Sequence, residues 1–308
     1  MLSEWAMLRS HTLADVSSPM NVLVTGSASG FAQLLLARLA ADPGIELILG
    51  VDQRESAFTH ERYVQVVLDL RSPMLARVLQ GIQTVIHLAP AIGDDAAARG
   101  ESLEAAQNLY TRALTTDTLH LIHLSSALVY GAQTGEAIDE NHAQGAVPGC
   151  AAAEALQTVE TWLDKFEAEH PTRRLVRLRP HWLVGPHADS VLARLLRQHL
   201  TLRQSTPTQL QCVHEEDVVD AILRALHSKV HGAFNLACKE SATLTALHRQ
   251  ARWLRLPMAA QLLARRLDTP AGCIEALSRS LVLDTARARS ELGWQPRYDR
   301  VREIIRHR

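Results

Sequence analysis

Apolar residues along this 308-residue chain fall into two alternating patterns. Short runs occupy residues 21–25 (NVLVT), 45–51 (IELILGV), 63–68 (YVQVVL), 85–88 (VIHL), 119–125 (LHLIHLS) and 175–178 (LVRL). Most are continuous rather than alternating, as strands need to be when both faces of a parallel sheet are covered. Between them lie stretches with helical spacing: 31–41, 102–114 and 154–169. In the last, Ala155, Leu156, Val159, Trp162, Leu163 and Phe166 form one stripe. The alternation predicts an α/β fold of the doubly wound parallel-sheet (Rossmann) kind.

The regularity weakens after Pro180. Residues 217–227 read as a helix, 232–237 as a strand and 243–254 as a helix. Asp284 is placed to cap a helix running to Leu292, with Gly293 as its stop and Pro296 just beyond. This divides the chain into a main domain over 20–180 and a smaller substrate-side region over 181–308, interleaved with the first. Residues 1–19 carry Glu4, Arg9, His11 and Asp15 without a continuous apolar core. They read as an extension outside the fold rather than a signal peptide, and Met20 stands as an alternative start.

Charge removes several classes of partner. The 32 Lys and Arg balance 33 Asp and Glu, which offers no basic surface for nucleic acid or an anionic membrane. No uncharged apolar run reaches membrane-spanning length. The four cysteines, Cys150, Cys212, Cys238 and Cys273, are widely spaced and form no CxxC pair. They imply free thiols and a reducing cytoplasm rather than a zinc site or disulfide framework. The fifteen histidines are scattered and read as surface or core residues, with no metal implied.

The chemistry begins at VTGSASGFAQLLLARL, a glycine loop between a strand and a helix. Gly26 permits a tight turn, followed by Ser27. Gly30, followed by Phe31, lets backbone approach a pyrophosphate at the helix N-terminus, where unpaired N–H groups and the helix dipole favour anions. The third small position is Ala32. The second strand ends at Val51-Asp52, where a carboxylate would take the adenosine ribose hydroxyls. Asp52 favours NAD, because a 2′-phosphate would meet its charge. Arg54 close by keeps NADP as the second choice.

With these segments laid out, the chain resembles the extended short-chain dehydrogenase/reductase family, the NAD-dependent epimerase/dehydratases, from about Met20 onward. The resemblance implies that Asp69-Leu70 contacts adenine and that Ala89-Pro90 passes the cofactor. It places Ser126, within SSALVYG, at the catalytic serine position. RLRPHWLVGP, VHEEDVVDAIL and ARSELGWQPRY resemble later signatures. The family's catalytic YxxxK is absent: Ala152 stands where Tyr belongs and Leu156 where Lys belongs, and the supporting Asn appears as Ser102. Alanine and leucine can neither transfer a proton nor hold a ribose. Tyr130 is the first substitute to consider, with Cys150, Glu154, Asp139, Glu140 and His142 nearby; each also has an ordinary reading as core, cap or loop. Two readings stay open: an atypical enzyme acting on a small molecule by non-redox or non-standard chemistry, and a non-catalytic NAD(P)-binding sensor or assembly subunit. Leu210 occupies the position of a diphosphate-binding Arg, so the expected ligand is not an ordinary nucleotide sugar. The helices over 102–114 and 154–169 correspond to a family dimer interface and imply a homodimer.

Overall fold

A computed structural model describes residues 19–88, 96–131, 136–204, 208–250 and 256–308. The first half runs β1 (Met20–Thr25), α1 (Gly30–Ala40), β2 (Ile45–Asp52), β3 (Tyr63–Val67), α2 (Leu75–Val78), β4 (Thr84–Leu88), α3 (Ala96–Leu114), β5 (His120–Leu124), α4 (Ala151–Glu169) and β6 (Arg174–Pro180). A 3-10 turn, Ala127–Tyr130, follows β5. The second half runs β7 (Trp182–Val184), α5 (Val191–Arg197), β8 (Leu200–Leu202), β9 (Gln209–Leu210), β10 (Cys212–His214), α6 (Glu215–His227), β11 (Gly232–Leu236), β12 (Ala242–Thr243), α7 (Leu244–Gln250), β13 (Leu256–Met258), α8 (Ala260–Leu267), α9 (Ala271–Glu275), α10 (Ala286–Ser290) and α11 (Val301–Arg306).

Seven strands form one sheet in the order β11-β6-β5-β4-β1-β2-β3, with every pairing parallel. The central strands are the continuous apolar runs: all five residues of β4 are buried. The edge strand β3 has no fully buried residue. One face is sealed by α1 and α6 through Leu35, Leu36, Leu39, Val218 and Ile222, with Trp294 beneath them. The other is sealed by α3 and α4 through Leu109, Tyr110, Leu163 and Phe166. At roughly 25 cal/mol per Å² of apolar area, each such side chain contributes about 1.5–3 kcal/mol.

The second half is threaded through the first. β11 belongs to the main sheet and α6 packs on one of its faces, while β7 pairs with β10 outside it. The smaller region has its own core, including Trp182, Leu196, Leu247, Leu263, Ile274 and Ile304, and Cys150 and Ala153 of the α4 end pack into it.

Element boundaries differ from the sequence pattern where caps override periodicity. The α6 helix starts at Glu215, two residues early, because the His214 side chain accepts from the Glu216 N–H. The α4 helix reaches back to Ala151. The helix expected over 243–254 is described as Leu244–Gln250 after a short strand. The C-terminal stop stands: Gly293 has φ +63°.

The cysteine expectation is overturned. Cys150 and Cys273 form a disulfide, with Cα atoms 4.4 Å apart. Their 123-residue separation hid the pairing, which only the docking of α9 on α4 creates. Cys212 and Cys238 are free and buried.

Candidate functional site

The sheet order reverses between β1 and β4, so a crevice opens at the carboxyl ends of these strands. The glycine loop lies there. Gly26 has φ +70°, and a Cβ on it would come 3.1 Å from the Leu88 carbonyl. Its N–H donates to Val51 O, tying the turn to β2. Ser29 caps α1, its hydroxyl accepting from the Ala32 N–H. The N–H groups of Gly30 and Phe31 open the helix and donate to no acceptor among the described residues. Phe31's ring is buried in the core, so only its backbone serves this site. Ser27 is fully buried and its hydroxyl donates to Gln65.

Asp52 stands at the end of β2 as expected, with a second task. One carboxylate oxygen accepts from the Ala28 N–H at 3.1 Å and the other from the Arg54 N–H at 3.0 Å. It thus fixes the loop. Arg54 is exposed, its Nε 3.8 Å from Asp52. Asp69 is held by Arg71 at 2.6 Å, and the hydrogen bond from Arg71 keeps its carboxyl below the usual range. Asn108 donates to Leu70 O at 2.6 Å. Ala89 and Pro90 lie outside the described residues. These features fit a dinucleotide: a tight glycine turn, free amides at a helix start and a carboxylate one strand away.

Ser126 follows β5, half-buried, its hydroxyl accepting from the Leu128 N–H. Ala152 and Leu156 both pack into apolar clusters. The substitute groups are otherwise engaged. Tyr130 is fully buried, donating to Asn235 Oδ1 at 2.8 Å and accepting from Arg179 at 2.6 Å. Burial, opposed by Arg179, pushes its hydroxyl up to about 12. Tyr130 thus lies in the core of the molecule. Cys150 is in the disulfide, and Glu154 accepts from the Gly149 N–H. Glu140 accepts from the Asn235 N–H, and burial raises its carboxyl.

A buried ionic network escaped the sequence reading. Glu160, on the apolar stripe of α4, takes Arg179 through two bonds of 2.9 and 2.7 Å and Arg177 at 3.2 Å. Arg177 also pairs with Glu167 and Asp164. Burial favours the neutral acid, but the two guanidiniums outweigh it and hold Glu160 at about 2. A groove of about 540 Å³ runs beside this network, lined in part by Glu140, His142, Gln157 and Arg287. The visible signal was Arg177 and Arg179 two apart on one strand, which puts both on one face.

The fold and the crevice are those of the doubly wound class to which many dinucleotide-binding proteins belong. More particularly, residues 22–237 match the NAD dependent epimerase/dehydratase family, and the chain belongs to that family. An uncharacterized protein of Mycobacterium tuberculosis is 26% identical over 92% of this chain and 82% of its own length. MoeE5, solved in complex with UDP-glucuronic acid and NAD, superimposes with a TM-score of 0.77 at 21% identity, over 94% of this chain and 97% of its own. UDP-glucuronic acid 4-epimerase from Bacillus cereus gives 0.77 at 17% identity, with coverages of 94% and 97%. UDP-glucose 4-epimerase from Thermotoga maritima gives 0.74 at 18%, with 94% and 98%.

Proposed function

We propose that this chain binds NAD through Gly26, Gly30 and Asp52 and does not perform Tyr-assisted hydride transfer. The observation that carries the second half is the state of α4 and Tyr130. Ala152 and Leu156 are apolar packing residues, and the tyrosine nearest in sequence to Ser126 has its hydroxyl locked between Asn235 and Arg179. General acid/base help is worth about 10²–10⁴-fold in rate. Ser126 offers a hydroxyl to polarise a ligand carbonyl, without a neighbouring base of the usual kind. NAD, when bound, supplies hydride chemistry; this chain supplies the cradle, the ribose carboxylate and Ser126. Activity that survives is non-redox or uses another group, and a binding role remains the alternative reading.

The ligand we favour is a small molecule other than an ordinary nucleotide sugar. Leu210 is fully buried in β9, with no donor for a diphosphate. The relatives solved with nucleotide sugars make this a direct test. The assembly we infer is a homodimer along α3 and α4, which are 19 residues each and lie side by side. Leu163 is already buried within the chain and Trp162 packs on Tyr110 and Phe166. A monomeric mass by light scattering at micromolar concentration removes it.

The experiment for the main proposal has two arms. Calorimetry is expected to show NAD binding more tightly than NADP, with Asp52→Ala narrowing the difference; tighter NADP binding by the unmodified protein reverses the assignment. Nicotinamide absorbance is then followed over alcohols, ketones and UDP-sugars. Wild-type turnover at ordinary enzyme rates overturns the chemical half, and gain of turnover only in Ala152→Tyr/Leu156→Lys supports it.

A further inference from the structure

Strands β7 and β10 run parallel, with Val184 opposite His214. The segments that leave them therefore emerge side by side. Gly185, Pro186 and His187 leave β7, and Glu215 opens α6. Gly185 is required here, because a Cβ on it would fall 2.3 Å from the Glu215 carboxyl carbon. Into that space Glu215 tucks its carboxylate, 2% exposed. It grips His187 twice: Oε2 accepts from the backbone N–H at 3.0 Å, and Oε1 lies 2.8 Å from Nδ1. A buried acid has thus fixed both the backbone and the ring of an exposed residue.

The ring stands on the glycine loop. A Cβ built on Gly30 would lie 3.2 Å from His187 Cβ and 3.6 Å from its Cδ2. The adjoining nitrogen, Nε2, has no hydrogen-bond partner among the described residues, and half of the side chain is open to solvent. This places one oriented, unengaged ring nitrogen beside the free N–H groups of Gly30 and Phe31.

Charge at this point is otherwise scarce. A pyrophosphate brings two negative charges. Leu156 supplies nothing where the family would have lysine, and Arg54 is drawn to Asp52. The first turn of α1 holds no acid. Of the other acids on the flanking elements, Asp189 is paired with Arg194 and Arg197, and Glu216 with Arg297. Glu215 is thus the carboxylate that faces His187. An imidazolium donating Nδ1–H to Glu215 has Nε2–H left for an anion.

We propose that His187, held by Glu215, is a positioning residue that contacts the pyrophosphate of the dinucleotide. This rests on the NAD-binding reading above. The ligand half it recognises is the diphosphate bridge, and the adenosine half is left to Asp52.

The test measures ADP-ribose and adenosine binding by calorimetry at pH 6, for the wild type, His187→Gln and His187→Lys. A charge-assisted contact of this kind predicts roughly a tenfold or greater loss of ADP-ribose affinity in His187→Gln at pH 6. Adenosine binding is expected to stay unchanged. His187→Lys restores the affinity. Wild-type-like ADP-ribose binding by His187→Gln overturns the assignment, as does an equal loss of adenosine binding, which would mean a general structural effect. A wild-type protein that binds neither NAD nor ADP-ribose refutes the dinucleotide reading itself, a result distinct from either.

Discussion

At the scale of single residues, the informative positions are polar groups inside the molecule. Tyr130 closes a chain from Arg179 to Asn235. Removing its hydroxyl leaves Asn235 Oδ1 without its donor and Arg179 short of an acceptor. Tyr130→Phe is therefore expected to cost about 1–3 kcal/mol of stability, read as a lower urea midpoint, while nucleotide affinity stays the same. Loss of affinity with unchanged stability would return Tyr130 to the functional site. Gly26, Gly30 and Asp52 were legible in the sequence because local backbone geometry and strand position define them. Glu160 was not. It sits on the buried stripe of α4, and nothing in helical spacing announces that two arginines from a strand 14 residues or more away will neutralise it. The same limit hid His187 and Glu215, 28 residues apart, whose meeting depends on the parallel pairing of β7 with β10.

At the scale of elements, strand and helix types followed from the pattern because each element's burial is set by its own layer. The central runs became β1, β2 and β4–β6, and the three long amphipathic stretches became α1, α3 and α4. The disulfide was invisible for the opposite reason: it joins elements whose contact is purely tertiary. Where they meet, Gly149, with φ +78°, faces Gly272, and a Cβ on Gly272 would lie 2.2 Å from the Gly149 carbonyl. The two backbones touch, and Cys150 and Cys273 follow directly. Closing a 123-residue loop restricts the unfolded chain, and such bonds typically contribute about 2–4 kcal/mol. Thiol reductant should lower the melting temperature of the wild type. Cys150→Ser/Cys273→Ser should melt at the reduced value and ignore reductant, since the remaining cysteines are free and buried. An unchanged wild-type melt on verified reduction would show that the backbone contact alone holds α9 on α4.

At the scale of the whole molecule, buried histidines set the response to acid. Burial holds His87 and His120 at about 3, and His123 and His181 at about 4. The unfolded chain binds protons near 6.5. Because the folded values are depressed, the stability contributed by neutral histidine is fully present above about pH 6.5. It drains as pH falls toward the folded values. By pH 5 each such residue costs roughly 2 kcal/mol. Thermal stability should be flat from pH 7 to 8 and fall steeply below pH 6. A melting temperature constant down to pH 5 would contradict this burial.

The place of β11 in the sheet sets a schedule for the molecule's birth. When residue 180 has left the ribosome, six strands are available and the rim at β6 has open hydrogen-bonding groups. The strand that covers it begins at Gly232. At about 5–20 residues per second, the intervening stretch takes roughly 3–10 s to synthesise. During that interval the nascent chain presents an adhesive border to its neighbours.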